Sequence, residues 1–146
     1  MSKATTVILV RHGQTEWNKI GRFQGQSDVA LSDEGIDQAR KLAAGFPGKR
    51  PDAIYSSDLS RAKTTAEILG ESLGCSVAYA KELREINFGA WEGLTHEEIE
   101  RKWPQALNDF FCHADVFSAP EGESVRNLRD RVMGFVIPVL GTHEGQ

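Results

Sequence analysis

The strongest constraint on the fold is an alternation of short apolar runs with segments of helical periodicity. Runs at 7–10, 53–57 and 75–79 have the length and composition of short strands. Between them, apolar residues recur every three or four positions over 33–46 and 61–73, which predicts amphipathic helices. Strands that alternate with helices at this spacing form right-handed βαβ units, so the sequence predicts an α/β fold with a parallel sheet.

Capping residues predict where several helices begin and end. Ser32 is a good N-cap for the first helix, and Gly74 is typical of the end of the second. Thr95 and Glu98 have the spacing of a capping box, which predicts a short helix to about Lys102.

The C-terminal half of the chain is less regular. Residues 83–93 are rich in glycine and aromatic residues without a clear period, which predicts a structured loop. A short helix is expected around 107–111. Ser124 begins a longer helix, and Pro138 is expected to kink or shorten its end before a polar turn at 141–146.

Composition limits the kinds of partner. The net charge of −4 argues against nucleic acid or an anionic membrane surface, because both are bound through basic surfaces. No apolar segment resembles a signal peptide or approaches the length of a membrane span. The two cysteines, Cys75 and Cys112, are too few for a disulfide framework and are interpreted as reduced core residues, which predicts a cytoplasmic protein.

Arg11 and His12 are the first candidate functional residues. They follow the apolar run 7–10 and precede Gly13, so they should lie at the carboxyl end of a strand, where ligands bind in open α/β sheets. A guanidinium can hold an anion with two donors, and an imidazole can attack it, so the pair suggests phosphate chemistry. Taken alone, the same residues are more often a simple strand cap.

Two further positions, one after a strand and one in a loop, offer groups suited to the same chemistry. Arg61 follows the second apolar run, in the first turn of a helix, where the helix dipole disfavours a cation unless an anion binds nearby. Glu85 lies in the irregular loop and could protonate a leaving oxygen as a general acid. The alternatives are a solvated arginine and one more surface carboxylate.

Four ordered blocks of sequence carry a family resemblance. They are Arg11-His12-Gly13-Gln14-Thr15-x-x-Asn18, Leu31-Ser32-x-x-Gly35-x-x-Gln38-Ala39, Tyr55-Ser56-Ser57-x-Leu59-x-Arg61-Ala62-x-x-Thr65-Ala66 and Leu83-x-Glu85-x-x-Phe88-Gly89-x-Trp91-Glu92-Gly93. In this combination the chain resembles the histidine phosphatase superfamily, also called phosphoglycerate mutase-like. The resemblance implies a three-layer α/β/α fold with a mainly parallel sheet.

The resemblance also implies a role for each matching residue. His12 would accept the phosphoryl group as phosphohistidine, and Glu85 would donate a proton to the leaving oxygen and later activate water. The phosphoryl oxygens would be held by Arg11, Asn18 and Arg61, in a pocket lined by Gln24 and Gly25. The implied substrate is a small phosphorylated metabolite that yields phosphate, and no metal or organic cofactor is implied.

One feature of the family pattern is missing. The family has a second active-site histidine on a Ser-His-Gly-type turn after a further strand, and His143 follows a predicted helix instead, so it is not assigned that role. Residues 1–146 are therefore expected to be a single domain that lacks the C-terminal strand region. Either the chain is an incomplete version of a longer protein, or it is a truncated form with impaired catalysis. In the second case, an unpaired sheet position would need cover from another chain, as in a homodimer.

The blocks favour one activity and leave others open. Phe88-Gly89-x-Trp91-Glu92-Gly93 resembles the phosphatase branch of the family more than the mutase branch, which has Tyr-Gly and Leu-Gln-Gly patterns there. A phosphomonoester hydrolase is therefore predicted. The alternatives are a phosphoglycerate mutase, a non-catalytic module that binds a phosphorylated ligand and, least supported, a metal hydrolase. Residues 94–118 are expected to cover the site, with their aromatic residues forming either an apolar wall or part of the core.

Overall fold

A computed structural model describes residues 4–146 of the chain. Its regular elements are α1 (Glu16–Lys19), α2 (Asp33–Ala44), β1 (Ile54–Ser56), α3 (Ser60–Leu73), β2 (Val77–Tyr79), two 3₁₀ turns (Lys81–Leu83 and Gly89–Trp91), α4 (His96–Lys102), α5 (Pro104–Cys112) and α6 (Val125–Thr142). The order of strands and helices from β1 to α6 is the predicted one.

The β1–α3–β2 unit is the parallel arrangement that the alternation predicts. The two strands pair in parallel, with Ile54 opposite Val77 and Ser56 opposite Tyr79. Helix α3 crosses between them and ends at Gly74, whose φ of 62° is in the left-handed region that favours glycine. Helix α2 packs against α3.

The apolar run 7–10 is not a buried strand, and that prediction is wrong. The described sheet contains β1 and β2 alone, and 7–10 has no strand partner within residues 4–146. All four side chains are exposed, with Leu9 at 92% of its full accessible surface. A buried strand needs neighbours to satisfy its backbone and helices to cover its faces. Without a paired strand, β-branched composition alone does not produce burial.

The main core lies under the irregular loop. Trp91 and Ile99 are fully buried and pack with Phe88, Leu107 and other apolar side chains of this cluster. Among the aromatic residues of 94–118, Phe117 is buried in the core, and Trp103 and Phe110 pack against it, whereas Phe111 is 62% exposed. The structure therefore favours the core interpretation for most of these aromatic residues.

The predicted helix caps are observed in detail. The Ser32 and Ser124 hydroxyls accept hydrogen bonds from the Gly35 and Asn127 amides. Thr95 forms a reciprocal capping box with Glu98, and α4 ends at Lys102 as predicted.

Two expectations about the C-terminal half and the cysteines need correction. Pro138 does not shorten α6, which continues past the proline to Thr142. Cys75 is half-buried and Cys112 is exposed at the end of α5, so neither is a core residue, although both are free thiols. Within residues 4–146, the structure has no helix whose length and apolar character would suit it to a membrane span.

Candidate active site

His12 lies on a segment that is fixed by close backbone contact with α2. A Cβ atom at Gly13 would collide with the backbone of Gly35, and one at Gly35 would collide with the backbone of Gln14. The Gly13 amide also donates to Thr65 Oγ1 of α3 at 3.2 Å. The segment that carries His12 is therefore held between α2 and α3.

The His12 ring is half-buried and has a defined tautomer. Its Nδ1 lies 2.6 Å from the carbonyl oxygen of Gly13. A carbonyl oxygen only accepts hydrogen bonds, so Nδ1 carries the proton and the lone pair of the neutral ring is on Nε2.

Burial is the main cause that lowers the pKa of His12 below its ordinary value of 6.5. The positive charges of Arg61 and Arg11 lower this pKa further, while the Gly13 carbonyl and the Glu85 carboxylate raise it. The neutral, nucleophilic form of the ring therefore predominates at neutral pH.

Arg61 is a buried side chain with several hydrogen-bond partners, not a solvated one. Only 1% of its surface is exposed, although it lies in the first turn of α3. Its Nη1 donates to the Ser27 carbonyl at 2.9 Å, and its Nη2 donates to the Gly25 carbonyl at 2.6 Å and to Glu85 Oε2 at 3.0 Å. One guanidinium thus joins the loop after α1 to the loop that carries Glu85.

Asn18 and Gln24 meet at Thr15, a buried residue whose role sequence reasoning missed. Thr15 Oγ1 contacts Gln24 Oε1 at 2.6 Å and Asn18 Oδ1 at 3.0 Å, and the Thr15 amide donates to Asn18 Oδ1 at 2.9 Å. Thr15 N-caps α1 in a capping box with Asn18. A Thr followed three residues later by a polar amide is the sequence signal that could have identified this cap.

Glu92 is a second residue whose position was not anticipated, although it lies in the block that carries the resemblance. Its Oε1 accepts hydrogen bonds from the amides of Gln26 at 2.8 Å and Phe88 at 3.2 Å, and its Oε2 accepts from Ser27 Oγ at 2.5 Å. Glu92 therefore ties the loop that holds Gln24 and Gly25 to the core.

The structure brings Arg11, Arg61, Glu85 and Gly25 near His12 and joins Asn18 and Gln24 in a separate group at Thr15. Arg11, Arg61 and Glu85 are close enough to His12 for their charges to act on its pKa. Gly25 is bound to Arg61, and Gln24 is joined to Asn18 through Thr15. A pocket of about 100 Å³ adjoins the histidine and is lined by Arg11, His12, Gly13, Gln38, Ala39, Leu42 and Thr65. Residues 4–146 contain no cluster of three or more side chains suited to hold a metal ion.

The lowered pKa of His12 leads to a pH prediction for phosphoryl transfer. The acidic limb of the pH profile of kcat/KM reports ionisations of the free enzyme and of the free ester, whose own pKa is measured separately by ³¹P NMR. Protonation of His12 removes its nucleophilic lone pair, so activity should fall as pH drops through a value below 6.5. Steady-state kinetics across the acidic range measure this limb, and a midpoint at or above the ordinary value would contradict the assignment.

A family model described as the histidine phosphatase superfamily (branch 1) matches residues 7–146. The metal-independent phosphoserine phosphatase of Arabidopsis thaliana is 39% identical over 149 residues, covering 99% of this chain and 62% of that protein. The Escherichia coli protein named "Probable phosphoglycerate mutase GpmB" is 40% identical over 131 residues, covering 86% of this chain and 59% of that protein.

A solved structure shows the same likeness in three dimensions. Mycobacterial glucosyl-3-phosphoglycerate phosphatase superposes with a TM-score of 0.82 at 37% identity, covering 90% of this chain and 61% of that chain. This likeness confirms the predicted α/β fold of the phosphoglycerate mutase-like type. The chain spans about three fifths of the length of these relatives.

Proposed function

Because the chain belongs to the histidine phosphatase superfamily, branch 1, we propose that this protein is a phosphomonoester hydrolase that forms a phosphohistidine at His12. The observation that carries the proposal is the convergence of four groups. The His12 ring, with its lone pair on Nε2, lines one pocket with Arg11, and Arg61 binds the Glu85 carboxylate at 3.0 Å. A nucleophile, two cations and a proton donor can together carry out phosphoryl transfer through a covalent intermediate.

The phosphoryl oxygens are held by Arg11, Arg61 and Asn18 in this proposal. Negative charge spreads over these oxygens in the transition state, so fixed guanidinium donors stabilise it more than the ground state. Asn18 and Gln24 each use their side-chain oxygen at Thr15, which leaves their NH₂ groups as donors. In this proposal Gly25 lines the phosphoryl site, and its carbonyl oxygen accepts a hydrogen bond from Arg61.

The reaction has two steps, in which Glu85 first donates a proton and then accepts one. In the first, His12 Nε2 attacks phosphorus, the P–O ester bond breaks, and protonated Glu85 gives its proton to the leaving oxygen. In the second, the Glu85 carboxylate takes a proton from water as the water oxygen attacks phosphorus. The P–N bond then breaks, orthophosphate leaves, and His12 and Glu85 return to their starting states.

The substrate in this proposal is a small phosphorylated metabolite with a carboxylate. Relatives are named for phosphoserine, phosphoglycerate and glucosyl-3-phosphoglycerate. These compounds all combine a phosphate ester with a carboxylate. The two free thiols fit a reducing compartment, so the proposed location is the cytoplasm. We propose that residues 1–146 form part of a single catalytic domain.

Product analysis tests the proposal against a phosphoglycerate mutase, which the likeness to the Escherichia coli protein favours as the second candidate. The substrate is 3-phosphoglycerate or phosphoserine, and ³¹P NMR measures the ester and orthophosphate over time. We expect orthophosphate in amounts equal to the ester consumed. A hydrolase transfers the group to water, whereas a mutase returns it to an organic hydroxyl.

Each outcome of this experiment identifies one candidate. An isomer without net release of phosphate would replace the hydrolase with the mutase. Binding of the ester with no turnover would favour a non-catalytic module that binds a phosphorylated ligand. Loss of activity on chelation, restored by a divalent cation, would indicate a metal hydrolase.

A further inference from the structure

Arg131 of α6 makes an unusual number of contacts for a side chain outside the proposed catalytic set. Its guanidinium binds Glu123 with two parallel bonds, Nε to Oε1 at 2.9 Å and Nη2 to Oε2 at 2.8 Å. The same group donates from Nη1 to the carbonyls of Glu82 at 2.7 Å and Arg84 at 2.9 Å, and from Nη2 to the carbonyl of Glu85 at 3.3 Å. Three carbonyls of the loop that carries Glu85 therefore face one planar cation.

Glu123 extends the same attachment to Asn87, two residues after Glu85. Its Oε2 accepts from the Asn87 amide at 3.1 Å, and its own amide donates to the Asn87 carbonyl at 2.8 Å. Hydrogen bonding by Arg131 is the main cause that lowers the pKa of Glu123, so this carboxylate is charged at neutral pH. The ion pair is largely buried, with 23% of the Arg131 side chain and 13% of the Glu123 side chain exposed.

The Glu85 side chain itself is weakly held. It is 42% exposed, and its carboxylate has one ion-pair partner in the described part of the chain, Arg61. The position of this carboxyl group therefore depends on how firmly the backbone beneath it is fixed. Arg84 adds support by binding Asp58 with two bonds of 2.6 Å, but Arg131 and Glu123 hold the backbone on both sides of Glu85.

We propose that Arg131, together with Glu123, is a positioning residue that holds the Glu85 carboxyl beside His12 for proton transfer. This inference rests on the proposed function, in which Glu85 is the proton donor. A general acid acts only when it lies within hydrogen-bond reach of the leaving oxygen, so a loose loop lowers proton transfer. The need for that proton depends on the leaving group: unsubstituted phenolate is basic and leaves faster when protonated, whereas the stabilised p-nitrophenolate leaves without the proton.

The test compares two substrates, phenyl phosphate and p-nitrophenyl phosphate, in the intact protein. The variants are Arg131→Ala and Arg131→Lys, with Glu85→Gln as a reference for loss of the acid. Arg129→Ala is the matched control, because Arg129 lies on the same helix, is 67% exposed and binds Asp130 alone among the residues described. The measured quantity is kcat/KM, which reports the first phosphoryl transfer.

Arg131→Ala should lower kcat/KM for phenyl phosphate by about 10-fold to 100-fold, which is part of the full contribution of a general acid. The loss for p-nitrophenyl phosphate should be no more than about 2-fold to 3-fold, and Glu85→Gln should show the same dependence on the leaving group. Arg131→Lys should recover part of the loss, because lysine keeps the charge but not the fork that spans Glu123 and the carbonyls. Equal losses for both esters, or an effect as small as that of Arg129→Ala, would overturn the proposal.

Amide hydrogen exchange separates failure of this inference from failure of the proposed function. Inactivity of the unmodified protein toward both esters would reject the hydrolase, while exchange would still report on the loop. In folded Arg131→Ala, the Asn87 amide should exchange faster than in the unmodified protein and in Arg129→Ala. Unchanged protection of Asn87 would show that Arg131 does not fix the loop, whatever the activity.

Discussion

Replacing His12 with alanine should lower phosphate release by roughly 10⁴-fold or more, the scale of loss expected when a covalent nucleophile is removed. Alanine has no lone pair to attack phosphorus, so the phosphoenzyme cannot form. Arg11, Arg61 and Glu85 would remain, so substrate binding should persist at reduced affinity. The rate of phosphate release from a phosphate ester measures the loss of activity. Trapping of acid-labile, base-stable phosphoenzyme from a labelled substrate measures the loss of the phosphoenzyme.

The matched control for this variant is His96→Ala. His96 is an exposed residue in the first turn of α4, and its ring lies 5.9 Å from that of Phe111. Its replacement should leave both the rate and the phosphoenzyme unchanged. If His12→Ala retained a phosphorylated histidine, another residue would be the acceptor and the proposed mechanism would be rejected.

Replacing Arg61 should affect both stability and catalysis. In Arg61→Ala, the carbonyls of Gly25 and Ser27 lose their donor, and each buried acceptor left without a partner costs about 1–3 kcal/mol. We expect a total loss of roughly 2–4 kcal/mol in the free energy of unfolding, measured by urea denaturation. The loss of one preorganised donor to the phosphoryl group should also lower kcat by about 10²-fold to 10³-fold.

Arg61→Lys distinguishes the two effects. Lysine keeps a positive charge but presents a point donor instead of a planar fork, so it should recover stability better than activity. Lys63→Ala, on the same helix with 48% of its side chain exposed, should be near neutral in both measurements. Full activity in folded Arg61→Ala would show that this guanidinium does not bind the phosphoryl group.

Local chemistry explains which parts of the fold were predictable from sequence. The capping box at Thr95 and Glu98 and the glycine end of α3 depend on a few adjacent residues, so their signals are complete in the sequence. The run 7–10 has equally clear strand composition, but a strand is defined by its neighbours. Because pairing is a long-range property, composition predicted a state that the described residues do not form.

The candidate site also combines features that are readable from the sequence with contacts that are not. The types and order of His12, Arg61 and Glu85 indicate phosphate chemistry, and the structure brings these residues together. The burial of Arg61 was not readable, because its partners are backbone carbonyls and carbonyls carry no sequence signal. The contacts of Arg131 were hidden for the same reason, since three of its acceptors are backbone oxygens.

The contact between Gly13 and the first turn of α2 has a consequence for how the reactive ring moves. Two backbones meet there without intervening side chains, so no rotamer change can absorb a relative displacement. We therefore expect the backbone of His12 to move together with α2, a twelve-residue helix, although His12 belongs to a loop.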